Sequence, residues 1–129
     1  MLNLCSMKAA MATTSPIGDL EATGEEHECA IAIERNPHIK AWVRNTSKQP
    51  HSFWLQTSSD KFYPDFVALL NDGRVIVIEY KGAPYFTNDD SKEKRLIGDL
   101  WADRSGGKCL FLMIEKKEFT RFDRAVQPK

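Results

Sequence analysis

Long apolar runs, cysteine pairs and an excess of charge of either sign are all missing from this chain of 129 residues. No apolar run approaches the roughly 18 residues that a membrane span needs. The N-terminus also lacks a basic segment followed by a continuous apolar stretch, which a secretion signal would need. We therefore expect a cytoplasmic protein that does not enter a membrane.

Cysteine is scarce and scattered. Cys5, Cys29 and Cys109 are odd in number and never form a C-x-x-C pair, which argues against a disulfide framework and a zinc cluster. The 18 Lys and Arg balance the 18 Asp and Glu, so a simple basic coat for nucleic acid is not indicated. The balance is uneven along the chain, because residues 91–129 contain 10 Lys or Arg against 6 Asp or Glu.

What is present fits one domain with one modest core. Residues 1–23 show no sustained period and are predicted to form a weakly ordered arm. From Gly24, apolar residues recur at helical spacing until Asn36-Pro37 stops the predicted helix. Alternation then predicts a strand over 38–45 and a second extended piece over 52–56.

The middle of the chain gives the clearest local signal. FYPDFVALL and RVIVIEYKG are two strand-like runs around the turn residues Asn71-Asp72-Gly73, which predicts a β-hairpin. Both runs are apolar on both faces near the turn, so the hairpin should lie in the middle of a sheet.

The last third predicts a helix and a strand. The helix opens at Asp89 and ends near Ser105-Gly106-Gly107, with Leu96, Ile97, Leu100 and Trp101 as its apolar stripe. The strand covers 108–114, and residues 118–129 are predicted to be a basic, frayed tail. The order helix, three strands, helix, strand indicates an α/β sandwich with a mixed sheet.

Glu79 and Lys81 leave the same face of their predicted strand, because side chains alternate along a strand. The register of the hairpin decides whether Asp65 joins them. A three-residue loop, with Gly73 in the left-handed conformation, places Asp65 opposite Glu79. A two-residue Asp72-Gly73 loop sends Asp65 to the other face, beside Tyr80. We favour the three-residue loop.

Two facing carboxylates point to a cation. Their repulsion across a strand pair costs up to about 1 kcal/mol, and Mg²⁺, which binds through one or two carboxylates with phosphate oxygens and waters, would remove that cost. Lys81 beside them can hold the attacking water and stabilise charge on a phosphate. The tripeptide alone is a weak signal, since Glu115-Lys116-Lys117 repeats it and Asp90-Ser91-Lys92 offers the version with Asp.

FYPDFVALLNDGRVIVIEYKG, followed by DDSKEKRLIGDLWADRSGGKCLFLM, resembles the PD-(D/E)xK endonuclease domain at the C-terminus of type III restriction enzyme helicase subunits and related DEAD/DEAH-box helicases. The upstream segments CAIAIERNPHIKAWVRN and SFWLQTS resemble the opening of the same domain. The resemblance covers residues 24 to about 115. It implies a restriction-endonuclease-like core over 24–117, in the order of elements given above.

The resemblance also implies the parts of a metal-dependent nuclease. Asp65, Glu79 and the backbone carbonyl of Tyr80 would bind Mg²⁺, for which Mn²⁺ should substitute, and Lys81 would be the catalytic lysine. The superfamily often uses a further acid from the first helix, for which Glu26 is our choice and Glu25 the competitor. Possible contacts to DNA lie at the start of the second helix: Lys92, Lys94 and Arg95.

The expected function is therefore hydrolysis of DNA by an endonuclease domain, active as a homodimer. The chain lacks a phosphate loop for a helicase motor and a target-recognition domain, so a separate motor and a recognition subunit are expected partners. Two alternatives stay open. One is a catalytically silent nucleic-acid-binding or assembly module with the same fold, and the other is a fragment of a longer helicase-nuclease.

Overall fold

The structure is a computed structural model, and it describes residues 25–45, 52–59, 61–81, 89–115 and 118–128. The predicted arm, 1–23, lies outside the described residues. In chain order the elements are α1 (Glu25–Arg35), β1 (Ile39–Arg44), β2 (Leu55–Gln56), β3 (Lys61–Phe62), β4 (Phe66–Leu70), β5 (Val75–Lys81), α2 (Asp89–Arg104), β6 (Cys109–Glu115) and α3 (Phe119–Ala125). None of the described helices is long and apolar enough to cross a membrane.

The main sheet has four strands in the order β1-β4-β5-β6. β4 pairs antiparallel with both β1 and β5, whereas β5 and β6 run parallel. The mixed sheet and the central place of the β4–β5 hairpin are thus confirmed. The buried runs of β4 and β5 fit that place, because both faces of a central strand are covered.

The hairpin turn has the three-residue form. Gly73 has a φ of 94°, a conformation that glycine adopts without steric cost. The backbone N–H of Gly73 donates to the carbonyl of Leu70 at 3.0 Å, and that of Leu70 donates to the carbonyl of Arg74 at 2.8 Å. Phe66 consequently lies opposite Ile78. This register confirms the three-residue loop and excludes the two-residue alternative.

Helices cover both faces of the sheet. On one face, Cys29 and Ile33 of α1 and Phe122 of α3 pack on alternate residues of the hairpin, among them Phe66 and Ile78. The other face carries a second cluster, built from strands of the main sheet, the β2–β3 segment and α2. Its members are Phe53, Leu55, Phe62, Val67, Val75, Val77, Cys109, Ile97, Trp101 and Phe111. The predicted α/β layering is confirmed at this level.

The extended piece predicted over 52–56 is a strand only at Leu55–Gln56. Leu55–Gln56 is outside the main sheet and instead pairs with Lys61–Phe62 in a separate two-stranded sheet. The FYPDFVALL run is divided between β3 and β4, since Pro64 has no N–H to donate to a ladder.

The predicted frayed tail over 118–129 is also wrong. Phe119–Ala125 is a helix, and its Phe122 is fully buried, as is Val126 just beyond it. Phe119, Phe122 and Val126 recur at the three- and four-residue spacing of one helix face, so the burial of that face stabilises the helix on the sheet. Phe122 and Val126 thereby belong to the core.

The apolar stripe predicted for α2 is half wrong. Leu96 and Leu100 are 70% and 49% exposed, whereas the buried positions are Ser91 and Gly98. Gly98 decides the orientation, because a Cβ placed there would lie 2.4 Å from Cδ2 of Phe111 in β6. Helix and strand approach closely at this glycine, and the two leucines are turned outward.

Candidate active site

The residues predicted to be catalytic meet at one end of the main sheet. Asp65 immediately precedes β4, while Glu79 and Lys81 lie at the C-terminal end of β5. Since Phe66 is opposite Ile78, the next position along the ladder places Asp65 opposite Glu79. The arrangement expected from the three-residue turn is therefore present.

The two carboxyl groups are in direct contact. The Asp65 and Glu79 side chains are hydrogen-bonded to each other, and the backbone N–H of Tyr80 donates to Oδ2 of Asp65 at 2.7 Å. Glu79 is only 5% exposed, and Asp65 is half-buried. The pair thus lies at the solvent edge of the core, with one side open.

Burial and mutual repulsion perturb the protonation of this pair. Burial, followed by the negative charge of Glu79 and the hydrogen bond with it, raises the pKa of Asp65 to about 8. The Tyr80 N–H and the Lys81 ammonium act in the opposite direction and do not offset the rise. In the absence of a cation, the folded pair therefore favours a protonated Asp65.

Lys81 completes the group. Its Nζ lies 3.2 Å from Oε2 of Glu79, and both side chains are largely shielded from solvent. An ammonium held beside a carboxylate pair can donate hydrogen bonds to a water or a phosphate oxygen that approaches the same edge.

Asn45, which the sequence did not indicate, fixes the backbone of the Pro64-Asp65 step. Its side-chain amide donates to the carbonyl of Pro64 at 2.8 Å and to that of Phe53 at 2.7 Å, and its side-chain oxygen accepts from the Phe53 N–H at 2.9 Å. Its own backbone N–H donates to the carbonyl of Asp65 at 2.8 Å. The only available signal was a polar residue directly after a strand, which is too common to single out.

Glu26 lies near the pair but is bound elsewhere. Its carboxylate forms an ion pair with Arg44 at 3.0 Å. Burial raises the pKa of the neighbouring Cys29, and the charges of Asp65 and Glu26 raise it further, so both acids lie close to this thiol. Among the described residues, no group of three or more His, Cys, Asp or Glu is placed to hold a metal ion. The assignment of Glu26 stays a prediction, and the side chain of Glu25 lies outside the described residues.

The three basic residues predicted to contact DNA are dispersed. Lys92 is exposed, and the ammonium of Lys94 lies 5.2 Å from the centre of the Phe62 ring. Arg95 is brought to the site, since it forms an ion pair with Glu115 and an N–H of its guanidinium lies 3.8 Å from Sδ of Met113. Glu115 neighbours Lys81 in the register of β5 and β6.

The tryptophans pack against neighbouring side chains. Trp42 is buried and contacts Phe66, and the half-buried Trp101 packs on Phe53 at 5.1 Å between ring centres. Trp54 is half-buried and lies 4.6 Å from the ammonium of Lys61.

Neither the family models nor the curated proteins and solved structures with which the chain was compared contain a match.

The donor set at the sheet end suits a small divalent cation. Two carboxylates in contact, with a raised pKa for one of them, form a site whose negative charge is not fully compensated by Lys81. Mg²⁺ prefers oxygen ligands and binds through one or two carboxylates while keeping waters or phosphate oxygens. Asp65 and Glu79 fit that requirement without a third acid.

Proposed function

We propose that the chain is a Mg²⁺-dependent DNA endonuclease domain of the PD-(D/E)xK kind, related to the domain that accompanies type III restriction enzyme helicases. The observation that carries the proposal is the contact of Asp65 with Glu79 at a sheet end, with Lys81 3.2 Å from Glu79. Two shielded carboxylates in contact repel each other and lower the stability of the fold unless a cation or a proton reduces their charge.

Each residue has a role in this proposal. Asp65, Glu79 and the Tyr80 carbonyl would hold Mg²⁺, or Mn²⁺ in its place, which supplies Lewis-acid activation of the scissile phosphate. Lys81 positions the attacking water and donates to a phosphate oxygen as negative charge develops there. The water oxygen bonds to phosphorus, the bond to the 3′-oxygen breaks, and a proton goes to the leaving oxygen. The family resemblance implies products with a 5′-phosphate.

The architecture supports a restriction-endonuclease-like core as the finer description of the fold. A helix precedes the sheet, an antiparallel hairpin carries the acids, and α2 connects β5 to the parallel β6. The β2–β3 sheet and α3 are additions to the expected order. A separate motor, a recognition subunit and a second copy of the chain remain the proposed partners.

The test is a cleavage assay with purified protein, Mg²⁺ or Mn²⁺, and plasmid or single-stranded DNA. Asp65→Asn removes one ligand charge with little change in shape, and Lys81→Met removes the ammonium. Asp103→Asn is the matched control, since Asp103 is exposed on α2 near the opposite end of the sheet. We expect cleavage by the native chain and by the control, and loss of at least about 100-fold in the two site variants. A native chain that cuts no DNA, or an Asp65→Asn variant that cuts equally well, refutes the proposal.

A silent binding or assembly module is the second candidate. The observation that favours it is the ion pair between Glu26 and Arg44, which engages the acid expected to complete the metal site. Calorimetric titration with Mn²⁺ separates the two functions. The nuclease should bind the ion through a site that Asp65→Asn abolishes, whereas a silent module should give the same heats in both proteins.

A further inference from the structure

Two arginines flank the carboxylate pair, one in each layer of the fold. Arg44 ends β1 on the side of α1, where it is held by Glu26, and Arg95 projects from α2, where it is held by Glu115. Resting on the proposed function, we infer that Arg44 and Arg95 bind the backbone phosphates on either side of the scissile phosphate. A single DNA strand would then cross the end of the sheet from α1 to α2.

The positions of the arginines follow from the sheet register. Arg44 lies beside Phe66, and the N–H of the next residue, Asn45, donates to the carbonyl of Asp65. Arg95 reaches Glu115, which lies beside Lys81 on the neighbouring strand. Both guanidinium groups therefore reach the end of the sheet that holds Asp65, and they approach it from opposite layers.

The spacing suits a nucleic acid backbone. The end strands β1 and β6 are separated by three strand intervals of about 4.8 Å each, or about 14 Å in total. One strand of B-DNA carries a phosphate per about 3.4 Å along the axis, and adjacent phosphates are farther apart than this along the winding backbone, so that width spans a few successive phosphates. A strand placed with one phosphate at Asp65 and Glu79 thus has further phosphates within reach of both arginines.

The ion pairs leave the arginines able to bind. The side chains of Arg44 and Arg95 are 35% and 44% exposed, and ion pairs so accessible to water contribute little to stability. A guanidinium has five N–H donors in a fork that matches phosphate geometry, and one carboxylate contact leaves several of them for a second acceptor.

The two arginines offset part of the acidic charge at this end of the sheet. The acidic side chains at this end of the sheet outnumber the basic ones by one. The acids are Glu26, Asp65, Glu79 and Glu115, and the bases are Arg44, Lys81 and Arg95. Without the arginines, the acids would repel a phosphate backbone over the whole site. With them, repulsion is confined to the carboxylate pair that binds the cation.

The experiment measures the salt dependence of DNA binding. Anisotropy of a short labelled duplex, or of its single strand, is recorded at several salt concentrations in Ca²⁺, which accepts the same oxygen ligands, and a denaturing gel verifies that the DNA stays intact. Arg44→Gln and Arg95→Gln are compared with Arg104→Gln, an exposed arginine at the far end of the same helix as Arg95. Circular dichroism verifies folding.

We expect each site variant to lower the slope of log K against log salt by about 0.9 for duplex or about 0.7 for a single strand, and the control to leave it unchanged. Equal slopes in all proteins, an equal fall in the control, or no binding by the native chain overturns the inference. If a glutamine variant fails to fold, Glu26→Gln and Glu115→Gln release the same arginines and should tighten binding. Unchanged DNA affinity of Glu26→Gln and Glu115→Gln would also overturn the inference.

The two proposals fail in different ways. A native chain that binds with the expected slopes but cuts nothing refutes the nuclease and leaves the phosphate contacts standing. A chain that cuts DNA while Arg44→Gln and Arg95→Gln retain the native slope refutes the phosphate contacts alone.

Discussion

The contact between Asp65 and Glu79 should make the metal-free protein less stable as pH rises. The pKa of Asp65 is about 8 in the folded chain, compared with about 3.9 for an aspartate in an unfolded chain. Between these values the folded state holds a proton that the unfolded state has lost, so the free energy of unfolding falls with increasing pH. The contribution is fully present below about pH 4 and is lost as pH approaches 8.

The magnitude follows from the size of the shift. Each pKa unit corresponds to about 1.4 kcal/mol, so the full shift of Asp65 would lower the free energy of unfolding by about 6 kcal/mol over the window. The pair lies at the solvent edge of the core, where water screens its charges, so we expect only part of that to appear, roughly 2–3 kcal/mol between pH 4 and pH 8.

Asp65→Asn isolates this effect from other titrating groups. Asparagine resembles the protonated acid, since its amide oxygen can accept from the Tyr80 N–H and its NH₂ can donate to Glu79. We expect the variant to match the native chain near pH 4 and to be about 2–3 kcal/mol more stable near pH 8 in EDTA. Asp103→Asn, on the exposed face of α2, should follow the native curve.

Urea unfolding at several pH values, with and without Mg²⁺, provides the measurement. Added Mg²⁺ should stabilise the native chain at pH 8 by binding the folded state, and should stabilise Asp65→Asn much less. Native stability that is constant or increases from pH 5 to pH 8 in EDTA would refute the electrostatic argument. So would an Asp65→Asn variant that is no more stable than the native chain at pH 8.

Three further predictions concern hydrogen bonds and core packing. Asn45→Ala should lower the free energy of unfolding by about 1–3 kcal/mol in urea, because the Phe53 N–H and the Pro64 carbonyl lose their partner. Calorimetry should also show weaker Mn²⁺ binding by this variant. Full native affinity for Mn²⁺ would contradict a role of Asn45 in positioning Asp65. Gly98→Ala should cost about 1–3 kcal/mol, since its methyl group would overlap the Phe111 ring; thermal unfolding unchanged from the native chain would contradict the close approach. Phe122→Ala should cost about 3–5 kcal/mol in urea unfolding, whereas a loss under about 1 kcal/mol would mean that α3 is not part of the core.

The sequence was sufficient where the determining interactions are local. Asn71-Asp72-Gly73 sets the turn, because Gly73 supplies the left-handed conformation that this loop length needs. The turn in turn sets the register, and the register brings Asp65 to Glu79. A few adjacent residues thus predict a contact between side chains fourteen positions apart in sequence.

Features that depend on distant partners were missed. Leu96 and Leu100 were predicted to face the sheet because leucine is apolar, but the close approach of Gly98 to Phe111 determines which side of α2 is buried. Asn45 was missed because its partners, Phe53 and Pro64, are remote in sequence. Hydrophobic periodicity carries no information about either contact.

Under the proposed function, binding of the metal and binding of DNA at this site should strengthen each other. Among the described residues two carboxylates meet, and Glu26 is paired with Arg44. Mg²⁺ usually keeps several water or phosphate ligands, so Asp65, Glu79 and a backbone carbonyl would hold it with further positions left for water and phosphate oxygens. A phosphate that takes one of these positions strengthens metal binding, and by reciprocity the metal strengthens phosphate binding by the same factor. Under the proposed function, metal affinity measured without DNA should therefore be weaker than in its presence. A calorimetric Mn²⁺ titration of the Lys81→Met variant, which should bind DNA without cutting it, measures this difference with and without a short DNA. Equal metal affinities in the two titrations would contradict a phosphate ligand on the metal.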